Sequence, residues 1–237
     1  MVKTPLILSY EDTLALPAVD VTCPLICNGN PRMSTASWRG VSIQTLLERL
    51  NIRGRYARFV AADGYVTGLS IEKLTNAVLA YMLNGEPLPV EHGFPARLIV
   101  PGLYGYKMPK WITRVELTDT LPAGYWETRG WSATGEVQPT AVIVTPFHRQ
   151  TTSDSVTIRG NAFAGEREVK QIEVSIDNGP WMPVPFEPAP RYCLIEWQIE
   201  WKAPAPADYL IQARAVVENP RYEISSPHGV VVRVVNV

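Results

Sequence analysis

Two cysteines near the start of the chain, Cys23 and Cys27, are the residues whose chemistry stands out. They lie at the end of a strand-like run, Val19 to Ile26, and Cys27 is followed by the turn-forming residues Asn28-Gly29-Asn30-Pro31 and by Arg32. Only a deprotonated thiol attacks an electrophile or binds a metal, and a neighbouring cation lowers the pKa of a thiol. The segment therefore predicts either a reactive or metal-bound thiolate or, as for most lone cysteines, a buried and inert thiol.

A second polar segment runs from His92 to Trp111 and surrounds a predicted strand, Arg97 to Pro101. Cationic donors beside glycine turns are what an anionic phosphate ligand requires. A solvated loop with a capping histidine has the same pattern, so both interpretations remain open at this point. The cationic side chains of the segment are His92, Arg97, Lys107 and Lys110.

The elements that must position these residues belong to a chain of 237 residues, of which 46% are hydrophobic. This length is enough for one large or two modest domains. The net charge of −1 argues against a general attraction to nucleic acid or to an anionic membrane. No apolar run approaches the roughly 20 residues of a membrane span, and no signal peptide is visible, so we expect no membrane span and leave the localisation open.

Several common kinds of site are not supported by the sequence. The three cysteines, Cys23, Cys27 and Cys193, do not make a disulfide framework, and a Cys23–Cys27 bridge is an alternative that the sequence does not favour. The histidines, at positions 92, 148 and 228, lack the spacing of zinc ligands. There is no glycine-rich nucleotide loop and no G-x-S-x-G elbow.

The first part of the chain mixes helices and strands without a βαβ rhythm, and we predict an α+β domain. Ser9 is the expected N-cap of a first helix, with Asp12 at its third position. Helices are predicted over residues 9–17, 41–50 and 71–82, strands over 19–26, 56–62, 97–101 and 112–117, and loops over 84–89 and 102–109.

After about residue 135 the pattern changes to short strands with alternating apolar residues. Regular short strands without helices predict a β-sandwich of roughly 100 residues. The boundary is predicted between Gly130 and Thr140, which gives domains of 1–132 and 133–237. The predicted strands cover residues 141–144, 155–159, 170–176, 195–201, 209–216 and 230–235.

With these motifs in order along the chain, the sequence resembles the sulfite oxidase family of molybdenum-cofactor oxidoreductases. The resemblance extends over nearly the whole chain, and its strongest block runs from His92-Gly-Phe-Pro-Ala-Arg97 to Gly105-Tyr-Lys-Met-Pro-Lys-Trp111. Other matching segments are Cys27-Asn-Gly-Asn-Pro-Arg32, Trp38-Arg-Gly-Val-Ser-Ile-Gln-Thr-Leu-Leu47, Asp63-Gly-Tyr65, Leu79 to Pro89, Ile172 to Trp181 and Trp201-Lys-Ala-Pro-Ala-Pro.

The resemblance implies a sulfite-oxidase-type molybdopterin domain followed by an immunoglobulin-like dimerisation domain. It also implies a molybdenum ion bound by molybdopterin, oxo groups and one cysteine thiolate. The family's spacing from Pro17 points to Cys27, whereas a longer spacing counted back from Trp38 points to Cys23. The Gly29-Asn30 pair favours Cys27, and Cys23 is the reserve ligand.

By matching positions, the resemblance assigns cofactor-binding roles, and the expected chemistry is oxygen-atom transfer with cycling between Mo(VI) and Mo(IV). A guanidinium forms two parallel bonds to a phosphate, whereas an ammonium acts as a point charge. The expected cofactor-binding residues are Asn30, His92, Arg97, Gly102, Lys107 and Lys110.

Departures from the family pattern bear on the substrate. Arg32 matches one of the family's substrate arginines and is expected to be catalytic with Cys27. The family's tyrosine, however, falls at Trp131, and the arginine that the family's second domain contributes falls near Trp197. A further arginine in an N-terminal segment has no counterpart. We therefore expect a small oxyanion, sulfoxide or related substrate that is less charged or more apolar than sulfite.

The resemblance also bears on partners. The chain has no C-x-x-C-H heme motif, so we expect no heme and a separate electron carrier. A homodimer is expected through the second domain. The alternative to an enzyme is a cofactor-binding or degenerate member that acts as a binding or association module.

Overall fold

The computed structural model describes residues 5–27, 33–50, 54–218 and 222–235. The chain divides into two compact units, an N-terminal unit, Met1–Glu136, and a C-terminal unit, Val137–Val237. Both units consist mostly of β-sheet, with few helices. Within the described ranges, no helix is long and apolar enough to cross a membrane.

The described residues of the N-terminal unit form two antiparallel sheets. The elements of this unit are α1 (Tyr10–Leu14), β1 (Ala18–Ile26), β2 (Met33–Ser42), α2 (Ile43–Glu48), β3 (Tyr56–Ala61), β4 (Val66–Ser70), β5 (Val78–Leu83), β6 (Glu86–Pro87), β7 (Arg97–Ile99) and β8 (Ile112–Thr118). One sheet has the order β1-β2-β5-β6, with β7 also paired to β5, and the other has the order β4-β3-β8.

The segment before the cysteines folds as the sequence predicts. The Ser9 side chain accepts a hydrogen bond from the Asp12 amide and the Asp12 carboxylate accepts one from the Ser9 amide, which forms a capping box. Among the described residues, strand β1 then lies at the edge of its sheet and pairs only with β2. An edge strand tolerates Pro24 because a proline has no amide hydrogen to donate to a neighbour.

The helix predicted over residues 71–82 is wrong. Residues Ile71–Leu74 form a short 3-10 turn, and Val78–Leu83 form strand β5, which pairs with β2, β6 and β7. A strand buried within a sheet is a continuous apolar run, and the periodicity of such a run does not separate it from a buried helix.

The helix predicted over residues 41–50 is shorter than expected. Val41 and Ser42 belong to β2, where Val41 pairs with Ala18 on one side and with Leu79 on the other, so the helix is confined to Ile43–Glu48. In the described residues, the α+β expectation thus becomes a mostly β unit with two short α-helices, because residues with a helical local pattern pair across strands instead.

The C-terminal unit is built of β-strands in the described residues. The strands are β9 (Thr140–Thr145), β10 (Thr151–Thr152), β11 (Ser155–Phe163), β12 (Val169–Ile176), β13 (Met182–Val184), β14 (Ile195–Lys202), β15 (Asp208–Glu218), β16 (Tyr222–Ile224) and β17 (His228–Val234). A six-stranded sheet has the order β10-β17-β15-β12-β13 with β16 on β15, and a three-stranded sheet has the order β14-β11-β9.

One hydrophobic core joins these two sheets. It contains Ile158 of β11 and Trp197 of β14 from the smaller sheet, and Ile172 of β12 and Ile211 of β15 from the larger one. Alternating buried and exposed positions along β14 and β15 place one face of each strand in this core. All six strands predicted from the alternation are present, with somewhat different bounds.

Candidate functional site

Cys27 follows the last residue of β1 and is exposed, whereas Cys23 lies within β1 and is 0% exposed. Neither cysteine forms a disulfide, and Cys193 does not form one either. A metal or a substrate reaches an exposed thiol without rearrangement of the sheet. Asn30 and Arg32, which were predicted to act beside Cys27, lie outside the described residues.

A loop of the predicted anion-binding segment lies beside this end of β1. A Cβ atom added at Gly105 would lie 3.6 Å from the Ile26 carbonyl oxygen, which is ordinary van der Waals contact. Gly102, in the same loop, is buried and has a φ of 87°, a conformation that glycine adopts without strain. The fold therefore brings the Gly102–Pro109 loop to the residue that precedes Cys27.

Arg97, at the start of β7, is 5% exposed. Its Nη1 donates to the His92 carbonyl oxygen at 3.0 Å and its Nη2 donates to the Met108 carbonyl oxygen at 3.2 Å. Its Nε is buried and has no hydrogen-bond partner among the described residues. Burial lowers the pKa of Arg97 to about 10, and the nearby Cys23 opposes this shift, so Arg97 is a buried cation with unused donor capacity.

His92 and Lys110 lie close to Arg97 in the chain fold. His92 is exposed and ends a 3-10 turn over Val90–His92. The Lys110 Nζ donates to the Glu91 carbonyl oxygen at 2.6 Å and lies 5.1 Å from the centroid of the Trp111 ring. An ammonium carries three donors, so Lys110 keeps donors for a further ligand.

Lys107 differs from the other predicted cations because its side chain is 0% exposed. Its ammonium donates to the Gly68 carbonyl oxygen at 2.9 Å and forms an ion pair with the Glu127 carboxylate, whose side chain is 4% exposed. Burial lowers the pKa of Lys107, and Glu127 opposes this shift. The role of Lys107 as a cofactor ligand stays a prediction, and its ammonium is already paired.

Aromatic side chains cover the same loop. The ring of Tyr106 meets the ring of Trp131 edge-on at 5.0 Å between centroids, and Trp131 stacks on Trp126 at 4.2 Å. The Tyr106 hydroxyl donates to the Ser132 carbonyl oxygen, and burial raises the pKa of Tyr106 to about 12. Trp131, identified from the sequence as a replacement in the substrate pocket, thus belongs to an aromatic cluster around Tyr106.

The interpretation of Trp197 as a substrate-pocket residue is wrong. Trp197 is 4% exposed and belongs to the hydrophobic core of the C-terminal unit. Its ring lies against Gly160 of the neighbouring strand β11, where an added Cβ would be 2.2 Å from the indole. The pocket was inferred only from the position that matches the family. The side chains of β14 alternate between buried and exposed, and that of Trp197 is on the buried face.

Sequence reasoning missed Glu127, Thr67 and Tyr65. The Thr67 hydroxyl donates to the Glu127 carboxylate at 2.6 Å, and the Tyr65 hydroxyl donates to the Tyr106 carbonyl oxygen at 2.7 Å. No motif in the sequence links Glu127 to Lys107, 20 positions away. The described residues also contain no group of three or more His, Cys, Asp or Glu side chains able to hold a metal.

The chemistry of these donors fits an anionic, polar cofactor. Arg97 offers a buried Nε without a partner, and Lys110 and His92 offer cationic and imidazole donors beside it. A cofactor phosphate or a polar ring accepts such bonds. The thiol of Cys27 supplies a soft ligand of the kind that binds a metal as its thiolate.

The fold and a family model together identify a molybdopterin-binding oxidoreductase domain. The sulfane dehydrogenase SoxCD from Paracoccus pantotrophus is similar in structure, with a TM-score of 0.77 and 23% identity over 94% of this chain and 66% of that chain. The family model described as "Oxidoreductase molybdopterin binding domain" matches residues 1–126. The chain belongs to this family of molybdopterin-binding oxidoreductases, and the resemblance read from the sequence is confirmed at that level.

Curated relatives include plant nitrate reductases. The nitrate reductase [NADH] of Lotus japonicus is 29% identical over 76% of this chain and 27% of its own length. Nitrate reductase [NADH] 2 of Phaseolus vulgaris is 32% identical over 64% of this chain and 22% of its own length. The chain thus spans about a quarter of the length of these relatives.

Proposed function

We propose that this chain holds a molybdenum–molybdopterin cofactor, with the Cys27 thiolate as the protein's ligand to the metal, and that it catalyses oxygen-atom transfer. The observation that carries the proposal is the position of Cys27, exposed directly after β1 and beside the loop that contains Gly105. When bound, such a cofactor supplies two-electron redox chemistry and an exchangeable oxygen atom.

The choice of Cys27 over Cys23 is supported by exposure. Cys23 is 0% exposed and lies in the edge strand β1, near the Arg97 cation. A metal bound there would require the residues that cover this face of β1 to move. Cys27 has already left the strand and needs no such rearrangement.

The residues proposed to hold the cofactor are the cationic and amide donors around β7. Arg97 would donate through its unused N–H groups, and His92 and Lys110 would donate from the adjoining loops. Gly102 lets the backbone approach because it has no side chain. Asn30 and Arg32 remain proposed as neighbours of Cys27, the latter as a substrate-binding cation.

The proposed substrate is a small oxide of low charge, such as a sulfoxide or an N-oxide. Tyr106 and Trp131 support this choice, since aromatic rings favour apolar groups over a strongly hydrated dianion. Trp197 is buried in the core of the C-terminal unit, and we do not propose that it contacts the substrate. Nitrate belongs in the same comparison because the curated relatives are named nitrate reductases.

We further propose that the C-terminal unit is an immunoglobulin-like sandwich that mediates a homodimer, and that a separate carrier exchanges electrons with the site. The two sheets around one core support the first proposal. The mass of the purified protein in solution, measured by light scattering, tests the dimer. A monomeric mass at all concentrations would contradict it.

The central experiment is molybdenum analysis of protein expressed in a host that makes the cofactor. We expect about one molybdenum per chain in the wild type, together with released pterin. The loaded protein is then assayed with sulfite, nitrate, sulfoxides and N-oxides. Absence of molybdenum would overturn the proposed function, and bound molybdenum without turnover of any substrate would favour the binding-module alternative.

A further inference from the structure

Two buried, oppositely charged side chains of the N-terminal unit form a node at Lys107. Its ammonium and the Glu127 carboxylate are 0% and 4% exposed. Thr67 adds a hydroxyl donor to the same carboxylate oxygen, Oε1, and Gly68 adds a carbonyl acceptor for the ammonium. Glu127 Oε2 is buried and has no hydrogen-bond partner among the described residues. We define these four residues as the Lys107 node.

The node ties three segments of the unit together. Thr67 and Gly68 belong to β4, Lys107 ends the 3-10 turn Gly105–Lys107, and Glu127 begins the 3-10 turn Glu127–Arg129. The first of these turns lies beside Ile26, the residue before the exposed thiol Cys27. A shift at the node therefore moves the loop that borders the proposed metal ligand.

Backbone packs closely against both side chains of the ion pair. A Cβ atom at Gly135 would lie 2.3 Å from Cγ and 3.0 Å from Cε of Lys107, so the backbone of Gly135 covers the aliphatic part of that side chain. A Cβ atom at Gly124 would lie 2.8 Å from Glu127 Oε2. Both ends of the ion pair are thus enclosed by closely packed backbone.

The same node holds the aromatic cluster. Trp126 directly precedes Glu127, and Tyr106 directly precedes Lys107, so the ion pair joins the two chain segments that carry these rings. Trp131 then stacks on Trp126 and meets Tyr106 edge-on. The Lys107–Glu127 pair therefore joins the two segments whose rings pack against Trp131.

We infer that Glu127 is a positioning residue of the proposed molybdenum site, acting through Lys107, and that the Lys107 ammonium itself does not bind the cofactor. This inference rests on the proposed function for its site, but the ion pair and the aromatic stack are properties of the chain alone. Lys107 then has a structural role through its ion pair with Glu127. Cofactor binding is left to His92, Arg97 and Lys110.

Single and double substitutions in the Lys107–Glu127 pair should have opposite effects on the loop. Removing one member of a buried ion pair leaves the other charge buried without a partner, whereas removing both charges is often nearly neutral. Glu127→Gln should therefore disturb the loop. The double variant Lys107→Met/Glu127→Gln should restore it, because the side-chain amide oxygen at position 127 still accepts from Thr67 and no charge remains.

The experiment measures molybdenum per chain and the exciton coupling of the stacked indoles in the circular dichroism spectrum, well below the unfolding temperature. We expect Glu127→Gln to lose the coupling and to hold on the order of tenfold less molybdenum. The double variant is expected to regain both signals. Lys110→Met, at a proposed cofactor contact, is expected to lose molybdenum and keep the coupling.

Glu116→Gln is the matched control, because Glu116 pairs with Arg58 in the same unit but both side chains are about one-third exposed, at 33% and 37%. It should change neither signal. If Glu127→Gln does not fold, the double variant decides: the inference requires it to fold and to load. A double variant that is unfolded, or that folds with normal coupling but remains as poor in molybdenum as Lys110→Met, would overturn the inference.

Failure of the inference and failure of the proposed function are distinguishable. If the wild-type protein holds no molybdenum, the proposed function fails, and the indole coupling still tests the positioning role of Glu127. If the wild type is loaded and Glu127→Gln matches it in both signals, the function stands and the inference is wrong.

Discussion

The Arg97 guanidinium lies 5.2 Å from the centroid of the Trp38 ring, and both side chains are buried in the N-terminal unit. The indole supports the flat face of the cation, while the edge of the guanidinium bonds to two backbone carbonyls. Because these contacts fix the plane of the guanidinium, the N–H groups that remain unpaired also point in a fixed direction. Such a pre-oriented cation suits a bound anion better than a flexible lysine does.

Arg97→Lys should lower both stability and molybdenum content. A lysine cannot span the His92 and Met108 carbonyl oxygens while stacking on Trp38, so at least one buried charge-assisted hydrogen bond is lost. We expect the free energy of unfolding to fall by about 2 kcal/mol, measured by urea denaturation. Arg39→Lys, in an exposed pair with Asp20, is the control and should change little. Equal effects in both variants would contradict the role of Arg97.

Cys27→Ala should remove bound molybdenum and leave the unfolding temperature of the cofactor-free protein unchanged, because this side chain is exposed. Cys23→Ala should do the reverse, since it opens a space inside the sheet and costs about 1 kcal/mol. The variants are therefore compared with the wild type in the cofactor-free form, since a bound cofactor by itself raises the unfolding temperature. Metal analysis and thermal unfolding of the two variants separate the roles, with Cys193→Ala as a control. Retention of molybdenum by Cys27→Ala would move the ligand assignment to Cys23.

Gly135→Ala should destabilise the N-terminal unit more than Gly130→Ala. Both glycines have positive φ, at 69° and 87°, so both substitutions carry a similar backbone cost. Only at Gly135 does the new Cβ also collide with Lys107, whereas at Gly130 nothing lies within 4 Å. The difference in the free energy of unfolding should be about 1–3 kcal/mol. Denaturation curves that coincide would show that the Lys107 side chain moves aside without cost.

The C-terminal unit should lose stability as the pH falls from neutral to mildly acidic values. The His228 Nδ1 accepts a hydrogen bond from the Ile143 amide at 3.1 Å, and burial lowers the pKa of His228 from 6.5. The unfolded chain therefore binds a proton first. The contribution of neutral His228 to the free energy of unfolding is complete above the unfolded-state pKa. It is lost as the pH falls through the lower folded-state pKa.

Thermal unfolding between pH 7 and about pH 5 measures this effect. His228→Gln replaces the titrating acceptor by an amide oxygen and should flatten the pH dependence. A curve for His228→Gln that falls as steeply as the wild type would assign the acid sensitivity to other groups.

Much of the site could be predicted because it depends on local sequence. The capping box at Ser9, the end of β1 before Cys27 and the loops on either side of β7 follow from turn residues and short motifs. Strand β5 was missed because its apolar run suits a buried helix equally well. The strands that pair with β5, β2 and β7, decide between a strand and a helix, and both are separated from β5 in the sequence.

The sequence by itself determined the family, the strands of the C-terminal unit and the chemical types at the site: a thiol, a histidine, an arginine and two lysines. Only the tertiary structure decided which of these groups face outward. It turned Trp197 into a core residue and paired Lys107 with Glu127. The physical reason is burial: a charge or an indole has no fixed role in a sequence motif until packing sets its partners and its access to solvent.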